Sequence, residues 1–263
     1  MEKPVKNEDV KDSQMKIGGT AREPETVKKL YRLGLSLAEI PIQDPGTFNE
    51  LLTDFKELRI SLNMDYVCHG PREGDPNDRE TLKNIYLPQV ISLFPYMEQL
   101  QMPLLTIHLY LDPRFVRKEI LEYKKSILKE IIREAETRDI ILCIENLSEN
   151  ADHMERFFNE IPGLNLTLDL GHGQLLTGKN TSYGFISKWP NRIHHVHLHD
   201  NRGGNSHLDD LHLPPGLGII DFKDIIGALI ETGYDKTITL ELTPDEIEQC
   251  LDRVKALLNQ ERT

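Results

Sequence analysis

Residues 192–222 read R-I-H-H-V-H-L-H-D-N-R-G-G-N-S-H-L-D-D-L-H-L-P-P-G-L-G-I-I-D-F. Five of the chain's ten histidines fall between His194 and His207, and His212 makes a sixth. A strand alternates its side chains between two faces, so His195, His197 and His199 share one face while Val196 and Leu198 take the other. The segment runs on into a Gly/Pro-rich loop carrying Asp210 and His212. Histidine-rich loops are often merely solvated. Imidazoles and carboxylates crowded at one strand end suit a divalent cation better than a packed core, and the neighbouring segments decide between the two.

Working outward, the pattern of strand followed by helix recurs eight times. Strands are expected at 15–20, 35–42, 64–69, 103–110, 140–146, 164–170, the histidine segment, and 237–242. Helices are expected at 23–33, 47–58, 81–100, 116–138, 152–160, 182–189, 221–232 and 244–258, with Pro88 and Pro95 interrupting the third. Eight such repeats in 263 residues predict one α/β domain, a (β/α)8 TIM barrel over residues 15–263. An open doubly wound sheet is the alternative. It calls for a glycine-rich phosphate loop after the first strand, and G-G-T at 18–20 is too short for one.

The polar residues inside the strands carry the chemistry. Thr106, His108 and Tyr110 alternate with leucine and isoleucine, as do Cys143 and Glu145, then Asn165, Thr167 and Asp169, then Thr239 and Glu241. His69 closes the third strand. In a barrel the aliphatic sets face the helices and the polar sets point inward, ending at the C-terminal rim where barrel active sites are built. Carboxylates aimed at one axis repel one another and lose hydration unless a cation sits among them. Divalent metal resolves that conflict.

Composition narrows the partners. The formal net charge is −12, and Lys28, Lys29, Lys124, Lys125 and Lys129 are mixed with acids in helical stretches, as on a solvated face. That balance disfavours nucleic acid as a partner. Cys68, Cys143 and Cys250 are odd in number and far apart, which argues against structural disulfides and for a reducing compartment. Apolar runs are too short to span a bilayer. The charged start, residues 1–14, reads as a flexible tail with no signal-peptide core. A soluble, cytoplasmic protein with no membrane partner is expected.

These residues resemble the xylose isomerase-like TIM barrels, and within them the endonuclease IV (AP endonuclease family 2) group, across nearly the whole chain. The resemblance implies up to three zinc ions on nine ligands. They are His69 in V-C-H-G-P, His108 in T-I-H-L, Glu145 in C-I-E-N-L, Asp169 and His172 in L-D-L-G-H-G, His197 in H-L-H-D-N, Asp210 and His212 in D-L-H, and Glu241 in L-E-L-T-P. Two features depart from the DNA enzymes: the loop G-G-N-S-H-L-D-D lacks their Lys- and Ser-rich run, and Glu39 in the second strand would face a phosphate backbone.

Two functions follow. One is a multinuclear metal hydrolase of a phosphoester or similar bond, with Glu145 as the bridging carboxylate and His195 and His199 orienting ligands. The other is an isomerase or epimerase of a small sugar or sugar phosphate, using one Mn²⁺ or Mg²⁺, with Glu145 and Glu241 exchanging the proton. A scaffold with a degenerate site is the non-enzymatic alternative. Glu39, Tyr110 and Arg202 are the expected substrate contacts. Trp189 is expected to pack, and G-L-G at 216–218 to shape a turn.

Overall fold

A computed structural model describes residues 15–259. The expected tail at residues 1–14 lies outside the described residues. Eight parallel strands close into a barrel in sequential order: β1 Lys16–Thr20, β2 Leu37–Pro41, β3 Asp65–His69, β4 Leu104–Ile107, β5 Ile141–Glu145, β6 Asn165–Asp169, β7 Ile193–Leu198 and β8 Thr237–Leu240. β1 pairs with β8, so no strand edge is left open. Around them run α1 Pro24–Arg32, α2 Pro45–Phe48, α3 Leu52–Leu62, α4 Arg79–Thr81, α5 Leu87–Leu100, α6 Lys118–Glu136, α7 Ala151–Glu160, α8 Ser182–Lys188, α9 Phe222–Glu231 and α10 Pro244–Leu258. The chain is a single (β/α)8 TIM barrel.

Several strands stop short of their apolar pattern, β4 and β8 most clearly, because alternation continues into the loop after the ladder ends. The expected helix over 81–100 is three pieces: α4, a π-helical stretch over Leu82–Tyr86, and α5. Pro88 stands in the first turn of α5, where its missing N–H removes a ladder bond, and the wider π turns before it absorb the break.

The aliphatic sets face the helices as expected. Ile40, Ile107, Ile144, Leu168, Leu198 and Leu240 are all buried in the main core, each worth roughly 1.5–3 kcal/mol of burial. Inside the barrel the first layer is apolar, with Leu37, Val67, Leu104 and Cys143 in contact. Above it Thr106 and Thr167 share a hydrogen bond of 2.7 Å. The third layer, at the rim, is titratable. The two glycines of β1 are there for space: a Cβ on Gly18 would fall 2.7 Å from the Leu37 carbonyl, and one on Gly19 2.7 Å from Ile247. All three cysteines are free and buried, and burial pushes the Cys143 thiol up to about 12, which leaves it inert as a nucleophile. Among the described residues no helix is long and apolar enough to cross a membrane.

Candidate metal centre

Parallel closure puts every strand's C-terminal end on one rim, and register sets the heights. His69 stands opposite Pro41, Glu145 opposite Thr167, and Asp169 opposite His197. His108 and Glu241 follow β4 and β8 by one residue. His172 is placed by a local turn, its backbone N–H donating to Asp169 Oδ1 at 2.6 Å. Asp210 and His212 come from the long excursion between β7 and α9. That excursion hangs from the fully buried Asp200, whose carboxylate accepts the N–H groups of Asn201, Gly216, Gly218 and Ile220 at 2.9–3.2 Å. The G-L-G at 216–218 therefore shapes a turn.

The nine side chains expected as ligands converge. Glu145 Oε2 lies 2.9 Å from His108 Nε2, 3.3 Å from His69 Nε2 and 3.3 Å from His197 Nδ1, while Oε1 lies 3.0 Å from His172 Nδ1. Asp210 Oδ2 stands between His172 Nε2 at 3.2 Å and His212 Nε2 at 3.1 Å. Glu241 reaches His197 Nδ1 at 3.5 Å and His212 Nδ1 at 3.6 Å. Several overlapping ligand clusters follow, each with its donor atoms within 4.8 Å of one another, among them His69, His108 and Glu145; Glu145, Asp169 and His172; and His172, His199, Asp210 and His212. His199 is the addition. The alternation of the histidine strand put it on the inward face, but only the fold brings it against Asp169, at 3.2 Å. The Gly171 backbone lies so close that a Cβ there would fall 2.1 Å from the imidazole of His199.

The donor chemistry tests whether this set fits a divalent cation. His69 Nδ1 lies 3.0 Å from the Gly70 carbonyl, His172 Nδ1 3.1 Å from the Asn146 carbonyl, and His212 Nδ1 3.2 Å from the Glu241 carbonyl. A carbonyl only accepts, so each of these nitrogens carries the hydrogen, and in the neutral ring the opposite nitrogen presents a lone pair to the centre. His197 is pinned the other way round. Its Nε2 lies 3.0 Å from the buried carboxylate of Glu39, and Nδ1 faces inward. Lone pairs and carboxylate oxygens about 3 Å apart repel unless a proton or a cation lies between them. Glu145 Oε1, His197 Nδ1, His199 Nδ1 and Asp210 Oδ1 are buried with no hydrogen-bond partner, as a set reserved for cations would leave them. The residues fit a multinuclear centre.

Without a cation, protons do the bridging. Burial pushes Glu145 and Asp169 up, but the imidazoles around them, His108 foremost for Glu145 and His172 for Asp169, hold both well below the usual carboxylate range. Burial pushes His172 and His197 down, yet Asp169 and Glu39 respectively lead the carboxylates that raise them well above the ordinary imidazole value. His212 rises to about 9, burial being outweighed by Asp210 and Glu241.

The centre floors a cavity of about 570 Å³. Glu39 lines it but is 1% exposed, so the expected substrate contact is instead the group that holds His197. Beneath it His195 spends both nitrogens on Thr237 and Thr239, at 2.7 and 3.0 Å, and supports Glu39 from 3.4 Å. Tyr110 and Arg202 are not among the lining residues. The ladder ends at Ile107, so strand alternation no longer governs Tyr110, whose N–H donates to Glu73 and whose carbonyl accepts from Lys124. Arg202 is exposed on the outside of its loop. Trp189 packs on Phe158, its ring N–H on the Ala151 carbonyl. Arg22, Gln43 and Arg72 do line the cavity, and periodicity gave no sign of them, since loop residues follow none.

Comparison with known proteins agrees with the architecture. An uncharacterized protein of Methanocaldococcus jannaschii, MJ1311, is 35% identical over 202 residues, 70% of this chain and 67% of its own. Among solved structures, a D-tagatose 3-epimerase-like protein superposes with a TM-score of 0.80 at 24% identity, covering 93% of this chain and 97% of its own. The TTHB071 protein from Thermus thermophilus, in crystals soaked with ZnCl2, does so with a TM-score of 0.75 at 22% identity, covering 95% and 100%. The sequence model of the xylose isomerase-like TIM barrel matches residues 27–258, and the chain belongs to that family, the AP endonuclease 2 family.

Proposed function

We propose that this protein is a metal-dependent hydrolase of a phosphoester or similar bond in a small molecule, with zinc as the first candidate for a centre of two or three ions. One observation carries the reading: the imidazoles are anchored from outside, each with one nitrogen aimed inward, over overlapping clusters that share Glu145 and His172. When bound, divalent cations supply Lewis acidity at the scissile group and acidify a water so that it ionises near neutral pH. Glu145 turns one oxygen to His69 and His108 and the other to the Nδ1 side of His172, whose Nε2 faces Asp210, so it would tie the first cluster to that ring. Asp210 stands between His172 and His212 within a single cluster. Glu241, at the mouth beside His197 and His212, is the carboxylate available to carry a proton. A cavity of about 570 Å³ suits a small ligand.

A second reading, a sugar isomerase or epimerase with one divalent ion, rests on a different observation. Glu145 and Glu241 flank His197 Nδ1 at 3.3 and 3.5 Å, an arrangement in which two carboxylates pass a substrate proton between them. The solved epimerase-like relative supports it. Elemental analysis of natively purified protein separates the two. Two or three ions per chain with metal-dependent phosphodiester turnover is expected, and Asp210→Ala lowers kcat more than about a hundredfold, beyond the loss of a merely supporting partner. One ion per chain, ketose turnover and an active Asp210→Ala variant would establish the second reading instead.

A further inference from the structure

The rim of the cavity is divided by charge. Most of its acids and imidazoles come from the segments that end or follow β4 to β8. Arg22 stands two residues after β1 and Arg72 three after β3, and they are the cavity's only lysine or arginine residues among those described. Between them Gln43, after β2, donates to the Gly70 carbonyl at 3.0 Å and ties its loop to the one carrying Arg72. Because β1, β2 and β3 are neighbours in the barrel, these three loops form one continuous sector. Most other arginines are engaged: Arg114 with Asp112, Arg156 with Glu122, Arg192 with the Phe158 carbonyl, Arg253 with the Pro215 carbonyl. Neither Arg22 nor Arg72 has a hydrogen bond or ion pair among the described residues. In a protein of net charge −12, two uncommitted guanidinium groups beside the same small cavity form a local reversal of sign.

We propose that Arg22 and Arg72 form an anion subsite that takes a terminal phosphate of the substrate, distinct from the group that reacts at the metal centre. The assignment rests on the cavity being the substrate site, as the proposed function has it. Two planar guanidinium forks match a dianionic phosphate, each able to give paired hydrogen bonds to it. With cations held by the acids across the cavity, the reacting group is drawn to that side and the terminal phosphate to the arginines, so the two sectors orient the ligand end to end. The substrate class is thereby a small molecule that carries a terminal phosphate, on a sugar or a nucleoside, in addition to the bond that is cleaved.

The test is calorimetric titration of the metal-loaded protein, its metal content checked by elemental analysis, with fructose 6-phosphate, a nucleoside monophosphate, fructose and inorganic phosphate. At least one phosphorylated ligand binds about tenfold or more tighter than fructose, and which one does so separates the sugar from the nucleotide source. Arg22→Ala and Arg72→Ala each remove most of that advantage, while Arg22→Lys and Arg72→Lys keep part of it by keeping the charge. Metal content and melting temperature stay unchanged, because both side chains are exposed and unpaired. A phosphate preference that survives the double alanine variant overturns the subsite and places the phosphate on the metals. So does the absence of any preference in the unaltered protein, or inorganic phosphate alone matching the full affinity in the double variant. Failure of the broader reading looks different: protein that holds no metal, whatever it does with phosphate.

Discussion

Two groups of buried acids lie within the same barrel, and they are treated in opposite ways. Beneath the loops after β3, β4 and β5, Glu73, Asp112 and Glu149 are almost fully buried. Glu73 pairs with Lys124 Nζ at 2.6 Å and accepts from the Tyr110 N–H. Glu149 accepts three backbone N–H groups, from Leu111, Leu147 and Ser148, at 2.6–3.1 Å. Asp112 is forked by Arg114 and capped by the Ser148 hydroxyl at 2.9 Å. At the rim, Glu145, Asp169 and Asp210 face imidazoles, of which His69, His172, His197 and His212 commit a hydrogen to an acceptor outside the centre. The first group is held by fixed cations and dipoles of the chain itself, and serves to tie loops together. The second has, apart from the His172 N–H on Asp169, imidazoles in place of fixed cations, and that difference marks the rim as a place for something the chain does not supply.

The contrast is sharpened most by breaking the first group. Lys124→Met leaves the Glu73 carboxyl buried without its cation, and a loss of about 3–5 kcal/mol in unfolding free energy is expected by chemical denaturation. The variant's metal content at saturation is unchanged; a stable variant with fewer ions would mean that the two groups are not separable. Next comes Glu39→Gln, which keeps the volume but no longer fixes which nitrogen of His197 is bare. Metal affinity in chelator competition is expected to fall by about 10–100-fold, with the unfolding midpoint of the metal-free protein little moved. An unchanged affinity would remove Glu39 from its positioning role. The smallest effect is a pH slope. His212, raised to about 9, carries a proton below that pH in the metal-free protein, and a cation must displace it. Zinc affinity therefore weakens as pH falls below about 9, by up to about tenfold per unit for each proton released, and titrations in two buffers of different ionisation heat count those protons. A flat profile between about pH 7 and that value would contradict the placement of His212 at the centre.

Much of this was legible in the chain. Period-two alternation put Glu145, Asp169 and His197 on inward faces because a ladder residue has no choice of side. His172 and Asp210 are expected from the family resemblance; a local turn sets the first beside Asp169, while the second depends on the long excursion after β7. Tyr110 and Arg202 fall where the ladder has already ended and direction depends on loop hydrogen bonds with distant residues, Glu73 and Lys124 in the first case. Arg22 and Arg72 carried no pattern at all. Glu39 was visible as inward-facing, but its service to His197 spans 158 residues of sequence and exists only in the closed barrel.

The hoop suspended from Asp200 has one more implication. Two of the rim's proposed ligands, Asp210 and His212, are carried by a segment tied down by the Asp200 carboxylate, by two isolated bridges, Asp200 with Leu213 and Leu175 with Gly204, and by Arg253 on the Pro215 carbonyl. Letting go there would open one cluster while the eight-stranded cylinder stayed shut. Occupancy of the proposed centre would thus depend on how that segment is hung from the barrel, and a protein with a damaged hoop would remain folded yet hold fewer ions.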